Sequence, residues 1–513
     1  MRSPIANHRF FITMTHRFFR LALALLATFL SATGAMATTM QLASAGTGQV
    51  LLFPYYTARN GTVSLVSIVN STIAAKAVRV NIREARGGFV VAQLNVYMSA
   101  KDVWTAAIVN DTDGAMLVSS DKSCTAPAIG NGLALSNAEY RADLLSFGAD
   151  LKPLGSRDRT REGYVEVIEI ASISNATALG KDVTHLSGVP RCRLIRPTPA
   201  VGSTPELPPA IPLDQLSAPT GGLYGTLSFV NVNQGMLAST PATAIENFWL
   251  TGPDAPAPSL FGPVNAVADL TSGKNTSISL TVRGEPYTAR FATSMDAVSA
   301  LLMTSTANSE YAATQDGVIG TILVATMPTK PYYTRGGALG PFTSRWDQST
   351  AQSCDATAIT SFSREEVTSD QSDSDPKPPA AVSNVCFVAN PILASTFGSS
   401  VALQATSDTS YLGSLLTRGF RGIQDGGTTV LNPGKEGGWV SLGWVGGLSA
   451  VDASVMRRNA VGALVSTPVS ITLNGLPVLG FTLSQSAYKT GSPQQNYADA
   501  TPLRTDVTVT EGK

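Results

Sequence analysis

The chain has 513 residues, 45 of them Gly and 30 Pro, and only 14% are charged. At about 150 residues per domain, this length predicts two to four domains, and a hydrophobic fraction of 43% belongs to a globular core rather than a disordered chain. The 36 basic and 36 acidic residues cancel, so no basic field exists to hold nucleic acid, and three His with four Cys exclude most metal-rich and redox-cluster classes.

The N-terminus sets the compartment. Arg2, Arg9, Arg17 and Arg20 stand in a stretch without acids, followed by the apolar run 21–30 and by Ala35-Met36-Ala37. A positive start, a short apolar core and a small-x-small site predict a signal peptide over residues 1–37, with Met14 as an alternative start. The apolar run is about ten residues, whereas a membrane span needs roughly 20. The chain is therefore expected to be exported, to the periplasm, the cell surface or the medium, with no transmembrane segment after cleavage. Cleavage removes four of the 36 basic groups and no acid, leaving 32 against 36, a net charge of −4, with His185 as the remaining histidine.

Cys124, Cys192, Cys354 and Cys386 all lie in the mature part. An even count in an exported chain predicts disulfides, and of the three pairings, proximity favours Cys124–Cys192 and Cys354–Cys386. No CxxC exists, and a single His cannot complete a Cys/His centre, so neither metal nor cofactor is expected.

In chain order, residues 61–70 are β-branched and bounded by turn residues, and 78–83 alternate Val78, Val80, Ile82 with Arg79, Asn81, Arg83. That is one buried and one wet face. A turn at 86–88 leads to 94–98, and 102–104 starts an edge or corner strand with Trp104 as core plug. These strands predict an N-terminal immunoglobulin-like β-sandwich domain over 38–112. A β-rich central region, 113–340, follows. It holds a helix at 137–147, with Asn137 as cap and Leu144 and Leu145 on one face. It also holds strands at 164–170, 221–231 and 318–327, a Pro-rich loop at 197–219, a hairpin over 277–292 and a helix at 295–303. The C-terminal β-rich region, 341–513, contains a polar insert at 368–380, strands at 438–445, 469–473 and 476–483, and the hairpin dipeptide Asn474-Gly475. The fold class is mainly β with a few short helices.

Candidate chemistry is sparse. A Ser/His/Asp site would need His185, which no G-x-S-x-G elbow accompanies. Glu166 and Glu169 are the paired carboxylates a glycosidase would use, but three residues apart they face opposite sides of a strand. One is expected to be solvated and the other paired with Arg159 or Arg161. Asp370, Asp373 and Asp375 have the spacing of part of a calcium loop, yet the glycine and glutamate an EF-hand needs are Asp375 and Ala381, so a solvated acidic loop is the default and a weak surface calcium site the alternative. Tyr56, Tyr333 and Trp439 are the aromatics that could stack on a ligand. Trp439 and Trp444, five apart, should face opposite sides of one strand. No catalytic residue is assigned.

Six phrases carry a family resemblance: 48–57 (GQVLLFPYYT), 102–107 (DVWTAA), 161–166 (REGYVE), 219–225 (PTGGLYG), 328–333 (PTKPYY) and 475–481 (GLPVLGF). In this order they resemble a family of uncharacterised, signal-peptide-bearing, exported proteobacterial β-rich proteins. The resemblance implies a secreted or surface protein and carries no catalytic residue. The signal, the near-absence of catalytic His and the strand-rich, lightly charged composition predict a non-catalytic secreted, cell-surface or periplasmic protein with a structural, adhesion or binding role. Its partner would be a protein or glycan of the envelope, with self-assembly through strand edges as one form. The alternatives are a carbohydrate-binding module and a carboxylate-dependent carbohydrate-active enzyme.

Overall fold

The computed structural model describes residues 38–146, 154–195, 213–250, 268–314, 319–336, 338–363, 381–395, 404–405, 412–421, 435–486 and 496–512. The expected signal peptide, most of the Pro-rich loop, and the polar insert with Asp370, Asp373 and Asp375 lie outside the described residues.

The chain is mainly β, built from sheets that are antiparallel apart from the parallel pair Ala389–Ser395 and Arg418–Arg421, with a few short helices. An eight-stranded sheet runs Gln41–Leu42, Thr243–Glu246, Val50–Thr57, Glu162–Ile173, Ala75–Glu84, Val90–Met98, Cys124–Ala126, with Leu216–Ser217 beside Glu162–Ile173. A six-stranded sheet runs Met236–Pro241, Leu223–Asn231, Val63–Asn70, Val103–Asn110, Ala115–Val118, Leu133–Ala134. The two face each other across one core, to which the first gives Phe53, Val80, Val165 and Val167 and the second Val66, Ile68, Trp104 and Phe229.

This sandwich does not end at residue 112. Glu162–Ile173 is inserted between Val50–Thr57 and Ala75–Glu84, and Leu223–Asn231 pairs with Val63–Asn70. The sandwich therefore carries more strands than the seven of an immunoglobulin constant-type domain. Alternating patterns mark strands but not their partners, so a boundary drawn after the first run of strands cuts both sheets. Val103–Asn110 likewise is no edge: it lies between Val63–Asn70 and Ala115–Val118, with Trp104 in the core.

The wet face expected on Ala75–Glu84 is absent. All ten of its positions are buried, as are all twelve of Glu162–Ile173. A further layer covers this side: Val50, Leu52 and Ile168 share a core with Ile278, Phe291, Val298, Leu473 and Leu479. Asn81 Nδ2 donates to the Ala268 carbonyl at 2.9 Å, and Arg83 Nη2 donates to the Tyr332 hydroxyl at 2.7 Å.

The C-terminal half forms a second sandwich. Its five-stranded sheet is Ala381–Val385, Asp355–Ser363, Lys435–Trp444, Thr306–Thr314, Arg504–Asp506. Its six-stranded sheet is Gln404–Ala405, Arg418–Arg421, Ala389–Ser395, Ile319–Thr326, Leu479–Ser486, Tyr497–Pro502. Tyr311, Val440 and Leu442 of one meet Leu323, Ile392 and Phe420 of the other. The opposite face of the six-stranded sheet gives Ile322, Val324, Phe481 and Leu483 to the first core. Ile319–Thr326 can be uniformly apolar because both its faces are covered.

Local chemistry explains several elements. Ser277–Val282 and Glu285–Arg290 are joined by Arg283 and Gly284, both at positive φ, as a two-residue hairpin turn requires. Helix Ser294–Leu301 starts from a capping box of Thr293 and Asp296. Helix Ala138–Ser146 buries Leu144 but exposes Leu145. Asn137 is not its side-chain cap: its amide donates to the Gly155 carbonyl, and Ser136 Oγ accepts from Ala138 N. Asn474-Gly475 closes no hairpin. Leu464–Asn474 pairs with Gly447–Ser449, Asp452–Arg458 and Thr508–Gly512, whereas Leu476–Pro477 pairs with Met303–Thr304, so the dipeptide turns the chain from one sheet into another.

Candidate functional site

Three polar regions stand out. The first is a buried junction where strand ends meet. Tyr55 OH donates to Glu162 Oε2 at 2.8 Å, and Tyr56 OH donates to the Thr160 carbonyl at 2.9 Å. Arg59 pairs with Glu162 at 3.1 Å and Asp158 at 2.8 Å, and Arg159 pairs with Glu84 at 2.9 Å. Thr326 Oγ1 donates to the Pro54 carbonyl at 2.6 Å, and Tyr164 OH donates to the Pro328 carbonyl at 3.4 Å. Segments 48–57, 161–166 and 328–333, three of the phrases that carry the resemblance, therefore converge here. A cavity of about 110 Å³ opens among Arg59, Glu84, Arg86, Asp158, Arg159 and Glu162. Burial raises the Tyr56 hydroxyl well above its ordinary pKa, with Glu84 adding to the effect. Arg59 and Arg159 are matched by carboxylates and Arg86 lies over the Phe387 ring, so this region holds layers together.

Glu166 and Glu169 do not form a pair. Glu166 points toward the second layer, where Arg83 Nε lies 2.8 Å from its Oε2. Burial pushes its carboxyl up, and Arg83 opposes that rise. Glu169 takes Lys76 Nζ at 2.6 Å, Ser172 Oγ at 2.9 Å and the backbone N–H groups of Thr220 and Gly221 at 3.0 and 2.7 Å. Neither carboxylate is solvated, contrary to the expectation for one of them, because layers cover both faces of their strand. Nor is Arg159 or Arg161 the partner: Arg159 serves Glu84, and Arg161 serves Asp158. Two separately neutralised carboxylates cannot act as the acid and the base of glycoside hydrolysis.

The second region surrounds His185. Its Nδ1 lies 2.7 Å from Ser99 Oγ and 3.5 Å from Asp102 Oδ2. The cleft has a volume of about 400 Å³ and is lined further by Lys101, Asn175, Lys181 and Thr184. Ser, His and Asp are the components of a hydrolytic triad, but a triad places the acid on one imidazole nitrogen and the serine on the other. Here both oxygens converge on Nδ1. Ser99 Oγ also accepts from His185 N at 3.0 Å and lies 3.2 Å from the Val183 carbonyl, which fixes the loop. Nothing in the sequence ties Ser99 or Asp102 to His185, which they precede by 86 and 83 residues.

The third region is the outward face of the five-stranded sheet. Of the three aromatics expected to be available to a ligand, two are not. Tyr56 is wholly buried in the first core. Tyr333, 3% exposed, donates to Asp296 Oδ1 at 2.7 Å and contacts Ser299 Oγ at 3.0 Å. Both sit where layers are stacked on their own strand or helix. Trp439 is 40% exposed and stacks on Phe362, with ring centroids 4.0 Å apart and planes 9° from parallel. Trp444 turns to the other face, into the core.

The disulfides join Cys124 to Cys192 and Cys354 to Cys386. Among the described residues, no group of three His, Cys, Asp or Glu is placed to hold a metal ion, and no helix is long and apolar enough to cross a membrane. Compared with protein-family models, with curated proteins and with solved structures, the chain matches none.

Proposed function

We propose that this chain is an exported, non-catalytic protein with a binding, adhesion or structural role in the cell envelope or outside the cell, of the exported β-rich kind its sequence phrases resemble. One observation carries this reading. The groups with catalytic composition are committed to structure: Glu166 to Arg83, Glu169 to Lys76, and Ser99 with Asp102 to one nitrogen of His185. The N-terminal pattern and the two disulfides support export.

Self-assembly through a strand edge has a candidate in Leu464–Asn474. Among the described residues, the first half of Leu464–Asn474 pairs only with Asp452–Arg458, and Val461, Leu464 and Val465 are exposed beside it. Pro468 stands on that stretch and has no N–H to offer, a device that blunts edge pairing. The exposed Trp439 instead favours glycan binding as the form the role takes.

The test is fractionation of the native host with an antibody against the mature chain, with thiol alkylation before lysis. Processed protein with both disulfides in periplasm, surface or medium is the expected result. An unprocessed, reduced cytoplasmic chain overturns the proposal. A fluorophosphonate probe should leave Ser99 unlabelled, and labelling would overturn the non-catalytic reading.

A further inference from the structure

We propose that the outward face of the five-stranded sheet binds a neutral pyranose polysaccharide, with Trp439 as its stacking wall. The inference rests on the reading of the chain as an exported binding protein and names the ligand class.

The sheet separates its two faces by residue parity. Ala307, Tyr311, Ile359, Val440 and Leu442 turn inward to the core. Outward stand three cross-strand rows fixed by the register: Glu310, Trp439, Phe362; then Asn308, Ser441, Thr360; then Thr306, Gly443, Ala358. Phe362 covers one face of the indole at 4.0 Å, so the free face is turned away from it, over the strand that carries Glu310 and Asn308. Trp439 is thus an upright wall and the small residues beside it are a floor. The wall is braced by Phe362, so a ligand need not order it, and the entropic cost of binding is reduced.

The wall and floor select a sugar. The axial C–H bonds of a pyranose carry partial positive charge and suit the negative face of an indole. Its hydroxyls both donate and accept, and the floor offers the Asn308 amide with the Ser441, Thr360 and Thr306 hydroxyls. Charge sets the class further. Glu310 and Arg504, both more than 80% exposed, lie 3.7 Å apart and cancel. Asp506 shares their face through its pairing with Thr306 and adds a negative charge. Summed over the described side chains, this face is neutral to slightly negative, which complements an uncharged glycan and repels polyanions. Among the described side chains of this face, Trp439 and Phe362 are the large apolar ones, less than the contiguous apolar centre a protein interface needs.

Affinity electrophoresis of the mature chain tests this. Gels would contain hydroxyethylcellulose, xyloglucan, galactomannan or dextran, with alginate and heparin gels as polyanions. Retardation by at least one neutral polymer is expected. Trp439→Ala should weaken it about tenfold or more, Trp439→Phe should retain most of it, and the wild-type melting temperature should be kept, since the indole is exposed. Should Trp439→Ala melt early, tryptophan emission decides: the retarding polymer shifts emission of the wild type but not of Trp439→Phe. Retardation by no neutral polymer, retardation by polyanions alone, or undiminished binding by a folded Trp439→Ala overturns the proposal. An exported chain that is not retarded fails only the glycan face. A cytoplasmic chain that is retarded fails only the wider reading.

Discussion

Arg83 Nε lies 2.8 Å from Glu166 Oε2, between a sheet and the layer stacked upon it, with both side chains nearly sealed from water. Arg83 also donates to the Gly88 carbonyl at 2.9 Å and to the Tyr332 hydroxyl at 2.7 Å. Removing one partner strands the other charge, which costs about 3–5 kcal/mol, whereas replacing both with apolar groups is far milder. Arg83→Met and Glu166→Leu should each lower the urea midpoint strongly, and the double variant should recover much of the loss. Additive losses would show that the two groups do not act as a pair.

Asp158 makes stability depend on acid. Burial alone would raise its carboxyl, but hydrogen bonds and charge from Arg59, with Arg161, outweigh burial and hold it below the ordinary value. A depressed carboxyl contributes stability that is present above the unfolded pKa of about 3.9 and is lost as pH falls through the folded value. Asp158→Asn should therefore destabilise the protein at neutral pH and flatten the acid limb of its melting curve below about pH 4. An unchanged acid limb would assign that limb to other groups.

The disulfides close loops of 68 and 32 residues. Loop-closure entropy gives each about 4 kcal/mol. Cys124→Ser/Cys192→Ser and Cys354→Ser/Cys386→Ser should each lower the melting temperature under non-reducing conditions, and a reductant should have the corresponding effect on the wild type.

Gly475 sits at φ 111°, and a Cβ there would lie 2.0 Å from the Thr304 carbonyl oxygen. Gly475→Ala meets both backbone strain and a clash with main chain, and should cost more than the ~1 kcal/mol of an ordinary substitution. Gly284, also at positive φ but in open space, is the control: Gly284→Ala should show the strain alone.

Much of the strand content was legible. The alternation at 78–83 predicts a strand, the β-branched run at 61–70 another, and the apolar run at 318–327 a strand covered on both faces. Failures came where a tertiary layer changed the environment without changing the pattern. Arg79, Asn81 and Arg83 look solvated because charged residues alternate with apolar ones, yet all three are buried. Asn474-Gly475 looks like a hairpin because its dihedral preferences suit one, yet those same preferences serve a change of sheet. Tyr56, Tyr333 and Trp439 are equivalent as aromatic residues, and only the packing of their elements leaves Trp439 with an open face.

What the sequence determined by itself are the features set within a few residues: strand periodicity and the hairpin turn at Gly284. The tertiary structure decided partnership. It brought Glu162–Ile173 between two earlier strands, gave Glu166 to Arg83 and Glu169 to Lys76, and set Ser99 and Asp102 on one nitrogen of His185. The physical reason is that backbone propensity and side-chain periodicity are local. Burial, ion pairing and an exposed ring depend on segments tens to hundreds of residues away, whose approach no local pattern encodes.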